Sequence, residues 1–247
     1  MAHRILKHRK FLPAAFVILS AAVFGVAQEP SGNKQNIRPE IAAPSAKPAS
    51  PPKPTETNPA RFSYEFTQPE FYVRRIFIEH DASGRGQLTF QRLSEETPFV
   101  EPVELSPAAL SRISALWQAL RFLDSEENYQ SERQYPHLGT MRLTMEQGER
   151  KRTAEFNWTH NQAAFQLANE YRRIADQAIL IFDISVAREN QPLNAPKLME
   201  QLESMLKRNW LSDPKQLVPL LKDMSGDEHI PLIARNHAAR LLKKIEK

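Results

Sequence analysis

Residues 161–190 form the longest stretch whose apolar residues keep a helical spacing. In its first half the apolar residues recur every three or four positions: Ala164, Leu167, Ala168, Tyr171, Ile174, Ala175 and Ala178. This spacing predicts an amphipathic helix with one buried stripe. From Ala178 to Val186 polar residues almost disappear, so we expect other helices to cover this end on more than one side.

The residues before this helix alternate between apolar and polar side chains, which is typical of half-buried β-strands. The first three predicted strands are RFSYEF (61–66), FYVRRIFIEH (71–80) and GQLTFQRL (86–93). FVEPVEL (99–105) predicts an edge strand or an extended crossover, because proline cannot donate within a central ladder. LGTMRLTME (138–146) and ERKRTAEFNW (149–158), joined through Gly148, predict a second hairpin.

Further helices are predicted on both sides of the long one. Ser106 suits an N-cap and Pro107 the first helical position, and the apolar residues up to Leu120, Trp117 among them, keep a helical spacing. Thr159 and Gln162 resemble a capping box for the long helix. Three short amphipathic helices follow Asn190, at Pro196–Arg208, Pro214–Asp223 and Ile230–Ile245. In the last of them we expect Ile233 and His237 to face the core.

These patterns predict the α+β class: an antiparallel sheet of hairpins covered by two helices, followed by a small all-helical C-terminal unit. The α+β domain is assigned to residues 61–190 and the helical unit to residues 191–247.

The N-terminal residues have the pattern of a secretory signal. Four basic residues precede the apolar run Phe11–Val26, and small residues lead to a cleavage site after Ala27. We therefore predict a signal peptide at 1–27 and an exported protein, periplasmic or secreted. The alternative is an uncleaved membrane anchor, because the apolar run is close to the shortest length that spans a bilayer. Residues 28–60 hold eight of the 19 prolines, which predicts a disordered Pro-rich linker.

The charge of the chain argues against a nucleic-acid partner. The net charge of +4 arises from residues 1–27, which carry four of the 33 Lys and Arg residues and none of the 29 Asp and Glu residues. The remaining chain is neutral and has no general attraction for polyanions. A membrane is expected as a partner only through an uncleaved N-terminal segment, and no oligomeric state is predicted.

No motif indicates a metal, a cofactor or a catalytic centre. Residues from Asp81 partly match a calcium-binding EF-hand loop, but Arg92 stands where a bidentate glutamate is needed, so a hairpin is favoured. The histidines lack the HExxH spacing, and no phosphate-binding glycine loop occurs. We assign no metal and no cofactor. An enzyme that uses only Asp and Glu remains an alternative, because catalytic carboxylates can be distant in sequence.

Three surfaces are candidates for contact with another protein. They are a hairpin tip (Ser83, Arg85), a polar loop (Tyr129, Tyr135, His137) and the last helix (Arg240, Lys244). Arg150 and Arg152 share one strand face and are interpreted as a solvated strand end. The glycosylation sequon at 157–159 is interpreted as incidental.

Residues 213–245 resemble one HEAT-type helical repeat, with DPKQLVPLLKDM as the first helix and IPLIARNHAARLLKKI as the second. The resemblance implies a scaffold for protein contact. The order hairpin, helix, hairpin, helix across residues 71–190 resembles the emfourin family of metallopeptidase inhibitors. That family's glycine-rich first hairpin is represented here only by 83–86, so no inhibitory residue is carried over.

The sequence therefore favours an exported, non-enzymatic binding or scaffolding module of a bacterial-type cell envelope, acting through contact with a protein whose identity it does not reveal. One alternative is a proteinaceous inhibitor of a secreted metallopeptidase. The second alternative is an unrecognised carboxylate-based enzyme.

Overall fold

The computed structural model describes residues 59–247. The strands are β1 (Arg61–Thr67), β2 (Val73–Asp81), β3 (Arg85–Arg92), β4 (Phe99–Glu104), β5 (Thr140–Gln147) and β6 (Arg150–Phe156). The helices are α1 (Pro107–Ala119), α2 (Gln162–Asn190), α3 (Ala195–Lys207), α4 (Val218–Gly226) and α5 (Leu232–Ile245). Short 3₁₀ helices occupy Pro136–Leu138, Pro192–Asn194 and Pro214–Leu217. The predicted signal peptide and nearly all of the predicted linker lie outside the described residues.

All six strands form one antiparallel sheet in the order β4-β3-β2-β1-β5-β6. The α+β class and the two predicted hairpins are thus confirmed. β2 and β3 pair directly across the Asp81–Gly86 segment, where the sequence also partly matched a calcium loop. β4, which contains Pro102, is an edge strand.

One face of the sheet is buried and the other is open because polar and apolar side chains alternate along the strands. Tyr64, Ile78 and Leu143 lie on the buried face, together with His80 and Phe90. The helices α1 and α2 cover this face and complete the first core. Trp117 of α1 belongs to that core, as predicted.

Both helices begin with a side-chain cap, but one cap differs from the prediction. Ser106 accepts a hydrogen bond from the N–H of Ala109, as predicted. At α2 the cap is Asn161, whose Oδ1 accepts from the N–H of Ala164 at 3.0 Å. The prediction of a Thr159 cap is wrong, because the helix begins at Gln162 and its cap is Asn161. The Thr159 hydroxyl instead accepts from the N–H of Asn161 itself.

The helix α2 contributes to two hydrophobic cores. Its buried residues as far as Ile179, and the half-buried Phe182, pack under the sheet, whereas Leu180 and Ile184 pack against α3, α4 and α5. This second core explains the loss of polar residues after Ala178. His237 of α5 is buried as predicted, with Nε2 3.2 Å from Oε2 of Glu203.

The prediction that Ile233 faces the core is wrong: this side chain is 67% exposed. The helix α5 begins only at Leu232, so Ile233 lies in its first turn, where the chain has just left the second core at Ile230. Among residues 59–247, no helix is long and apolar enough to cross a membrane.

Candidate functional site

Exposed aromatic side chains cluster where the chain enters β5 and where it leaves β6. The ring centroids of Tyr135 and Trp158 are 5.6 Å apart, and those of Trp158 and Phe165 are 6.1 Å apart, both in edge-to-face geometry. His137 lies 6.1 Å from Tyr135, and the guanidinium of Arg133 lies 5.1 Å above the Tyr135 ring. We call Arg133, Tyr135, His137, Trp158 and Phe165 the aromatic strip.

The aromatic strip is exposed although its rings contact one another. Trp158 and Phe165 are each 37% exposed, and Tyr135 is half-buried. The other two tryptophans donate their indole N–H to protein acceptors, Trp117 to Tyr171 and Trp210 to Asp176. For Trp158 no such acceptor is found within residues 59–247. Its indole N–H is therefore available to an acceptor outside these residues, such as solvent.

Asn157 holds the loop that carries Tyr135. Its Oδ1 accepts from the N–H of Tyr135 at 3.0 Å and from Nε2 of Gln130 at 3.1 Å. Its own N–H donates to Oε1 of Gln130 at 2.9 Å. Because these bonds connect the loop to the segment that follows β6, Tyr135 and Trp158 are held next to each other.

The other end of this loop is fixed to the sheet. Nε2 of the buried Gln68 donates to the carbonyl oxygens of Pro136 (3.0 Å) and His137 (3.1 Å). Gly139 follows with φ of +84°, and a Cβ there would lie 2.6 Å from the Phe66 ring. Any other residue would strain this turn. The loop that carries Tyr135 and His137 is thus held by hydrogen bonds to Asn157 on one side and to Gln68 on the other.

Beside the aromatic strip lies an open cavity of about 480 Å³ lined by residues 127–133 and 159–161, most of which have polar side chains. Arg133 borders both the cavity and the strip. An exposed row of aromatic faces next to amide and carboxylate groups can bind a partner by ring contact and hydrogen bonding.

One of the three predicted residues of this loop is not available for contact. Tyr129 is 2% exposed and packs between Phe122 and Phe156, with ring centroids 6.1 and 6.3 Å away. Its assignment as a contact residue is therefore a wrong prediction. Tyr135 and the exposed His137 do lie together in the aromatic strip.

The interpretation of Arg150 and Arg152 as a solvated strand end is wrong for Arg152, which is half-buried, whereas Arg150 is exposed. The guanidinium of Arg152 lies 4.6 Å above the Phe122 ring and donates to the carbonyl oxygens of Phe122 (2.7 Å) and Glu127 (2.6 Å). Arg150 pairs with Asp124. Both arginines hold the loop after α1 against β6, and this contact buries Tyr129.

The predicted hairpin tip is exposed but internally bonded. Oδ1 of Asp81 accepts from the N–H of Ser83 (2.8 Å), the hydroxyl of Ser83 (2.6 Å) and the N–H of Arg85 (3.1 Å). The Ser83 hydroxyl, followed by the Arg85 N–H, lowers the pKa of Asp81. Arg85 also pairs loosely with Glu104, at 3.8 Å. On the last helix, Arg240 and Lys244 are exposed.

The structure thus brings Tyr135 and His137 together and leaves the hairpin tip and the last helix as separate surfaces. Sequence reasoning missed Trp158 and Phe165. A signal was present for Phe165, because it is an aromatic residue outside the buried stripe of an amphipathic helix. Within residues 59–247, no group of three or more His, Cys, Asp or Glu side chains is placed to hold a metal ion.

Comparisons with known proteins add no functional assignment. No protein-family model matches the chain, and no curated protein matches it. The resemblances to a HEAT repeat and to emfourin remain predictions.

Proposed function

We propose that this protein is an exported, non-enzymatic binding module of the cell envelope that contacts another protein through the aromatic strip. The observation that carries the proposal is the exposed Trp158 between Tyr135 and Phe165 on a frame fixed by Asn157 and Gln68. Trp, Tyr and Arg are the residue types that contribute most to binding at protein interfaces. Because the hydrogen bonds to Asn157 and Gln68 already hold the loop in place, we expect little conformational entropy to be lost when a partner binds.

The test uses a photo-crosslinking amino acid at position 158, introduced into the full chain in its native cell. The control carries the same amino acid at Tyr72, which is 63% exposed and lies in the β1–β2 connection. We expect a discrete covalent adduct with one envelope protein from position 158 and none from position 72. Mass spectrometry identifies the partner in the adduct.

A second measurement establishes that the captured protein is a true partner. The affinity of the purified partner should fall about thirtyfold in Trp158→Ala and in Tyr135→Ala, because loss of a hot-spot residue typically removes about 2 kcal/mol. Tyr72→Ala should leave the affinity unchanged. Unchanged affinity in both strip variants would overturn the proposal. If the adduct contains a secreted metallopeptidase that the bound protein inhibits, the inhibitor alternative replaces it.

A further inference from the structure

The outer edge of β6 is the free edge of the sheet opposite β4. The β5–β6 turn has two residues, and its first, Gly148, has φ of +62°, as in a type II′ hairpin. In such a hairpin the flanking pair, Gln147 and Arg150, is hydrogen-bonded, and antiparallel pairs then alternate along the strand. The backbone groups of Lys151, Thr153 and Glu155 consequently point away from β5.

These outward groups have no partner elsewhere in residues 59–247. None of the backbone hydrogen bonds made by turns, loops and caps reaches Lys151, Thr153 or Glu155. The next outward N–H, that of Asn157, is covered by Gln130. The open edge therefore runs over residues 151–155. Neither a proline nor a bulge interrupts it, whereas β4 carries Pro102.

The charges along this edge are complementary to those of a second copy. If two β6 strands pair antiparallel about a two-fold axis at Thr153, Lys151 of each copy lies opposite Glu155 of the other copy. An axis at Lys151 or at Glu155 would instead place two like charges directly opposite each other, which is unfavourable. Only the Thr153 register among these three avoids that repulsion.

This register also extends two rows of side chains on the open face of the sheet. Glu65, Arg142 and Glu155 are neighbours on β1, β5 and β6 and already form ion pairs. Lys151 of the second copy would follow Glu155, so the signs alternate across the interface. Thr144 and Thr153, whose hydroxyls are 3.0 Å apart, would meet the same pair from the second copy.

We propose that two copies of this chain join through β6 into one continuous antiparallel sheet, with the two-fold axis at Thr153. The three outward residues of each strand supply about six backbone hydrogen bonds, two for each facing pair. The paired residues 151–155 are not members of the aromatic strip, and the proposal does not depend on the function proposed above.

Charge reversal tests the register. The protein is purified from its native cell in whatever form the cell leaves its N-terminus. Sedimentation velocity of this protein should show a dimer whose population rises with protein concentration. Lys151→Glu and Glu155→Lys should each weaken the dimer about tenfold or more, because the two-fold axis doubles each repulsion. The double variant should dimerise again. The double variant still lacks the ion pairs that Lys151 makes with Glu146 and Glu155 makes with Arg142 inside each chain. Restored dimerisation would therefore reflect contacts between the two copies alone.

A disulfide test locates the axis directly, because the chain has no cysteine. Facing hydrogen-bonded residues have Cα atoms about 5.5 Å apart, within disulfide range. Oxidised Thr153→Cys should therefore form a covalent dimer. The control Thr144→Cys, on the same face but one strand inward, should not. A chain that stays monomeric at all concentrations, a dimer that tolerates both single reversals, or equal crosslinking at 144 and 153 would each overturn the proposal.

Discussion

The hydroxyl of Tyr171 in α2 lies 2.8 Å from Nε2 of His80 in β2. The indole N–H of Trp117 in α1 donates to the same hydroxyl at 3.0 Å. Nδ1 of His80 lies 2.7 Å from the carbonyl oxygen of Asp81, which assigns the neutral tautomer with its proton on Nδ1. Tyr171 then donates to Nε2, and every polar atom of this buried triad that joins the sheet to both helices is satisfied.

The His80 ring makes stability depend on pH. Burial lowers its pKa from the ordinary value of 6.5, although the Asp81 carbonyl acts in the opposite direction. Between the lowered pKa and 6.5 the unfolded chain binds more protons than the folded chain, so stability falls as the pH decreases through this range. Urea unfolding at about pH 7.5 and about pH 5.5 measures how much the free energy of unfolding falls between the two. His80→Gln should make this difference smaller. His160→Gln, a control at an exposed histidine, should leave it unchanged.

Tyr171→Phe should destabilise the protein by about 1–3 kcal/mol, because it leaves the Trp117 N–H buried without an acceptor and His80 Nε2 without a donor. The comparison is Tyr72→Phe, which removes a hydroxyl from a side chain that is 63% exposed and should change little. Denaturant midpoints report both. Equal stability of the two variants would contradict the role assigned to the triad.

Glu170→Gln should destabilise by about 2 kcal/mol or more, since it removes the charge from a buried ion cluster. The Glu170 side chain is 7% exposed and accepts from Arg112 Nη2 (2.6 Å), Arg173 Nη1 (2.8 Å) and the Ser212 hydroxyl (2.9 Å). These partners come from α1, α2 and the segment between α3 and α4, so hydrogen exchange at that junction should also accelerate. Glu146→Gln, which loses a solvent-exposed pair with Lys151, should have a much smaller effect.

Processing of the N-terminus is predicted from residues outside the described part of the structure. N-terminal sequencing of the protein from its native cell should begin at Gln28, because the small residues before it match a signal-peptidase site. Protein that retains Met1–Ala27 would instead support the anchored alternative.

The periodicity of the sequence predicted the secondary structure and fold class. Alternation in RFSYEF, the turn at Gly148, the Ser106-Pro107 start and the stripe of α2 each reflect interactions between residues close in the chain. One buried face imposes a period of two on a strand and of 3.6 on a helix. These elements could therefore be predicted before any tertiary contact was known.

The candidate site depended on contacts between distant residues, which periodicity does not report. Tyr129 has the sequence context of an exposed loop, yet Arg152, 23 positions later, holds its loop against β6 and buries it. From the sequence, Trp158 was interpreted only as part of an incidental sequon. In the structure it lies beside Tyr135, whose N–H donates to Asn157, 22 positions later in the chain. The sequence alone thus determined which segments have a face to bury, whereas the tertiary structure decided which polar and aromatic side chains remain exposed, because that depends on which segments pack together.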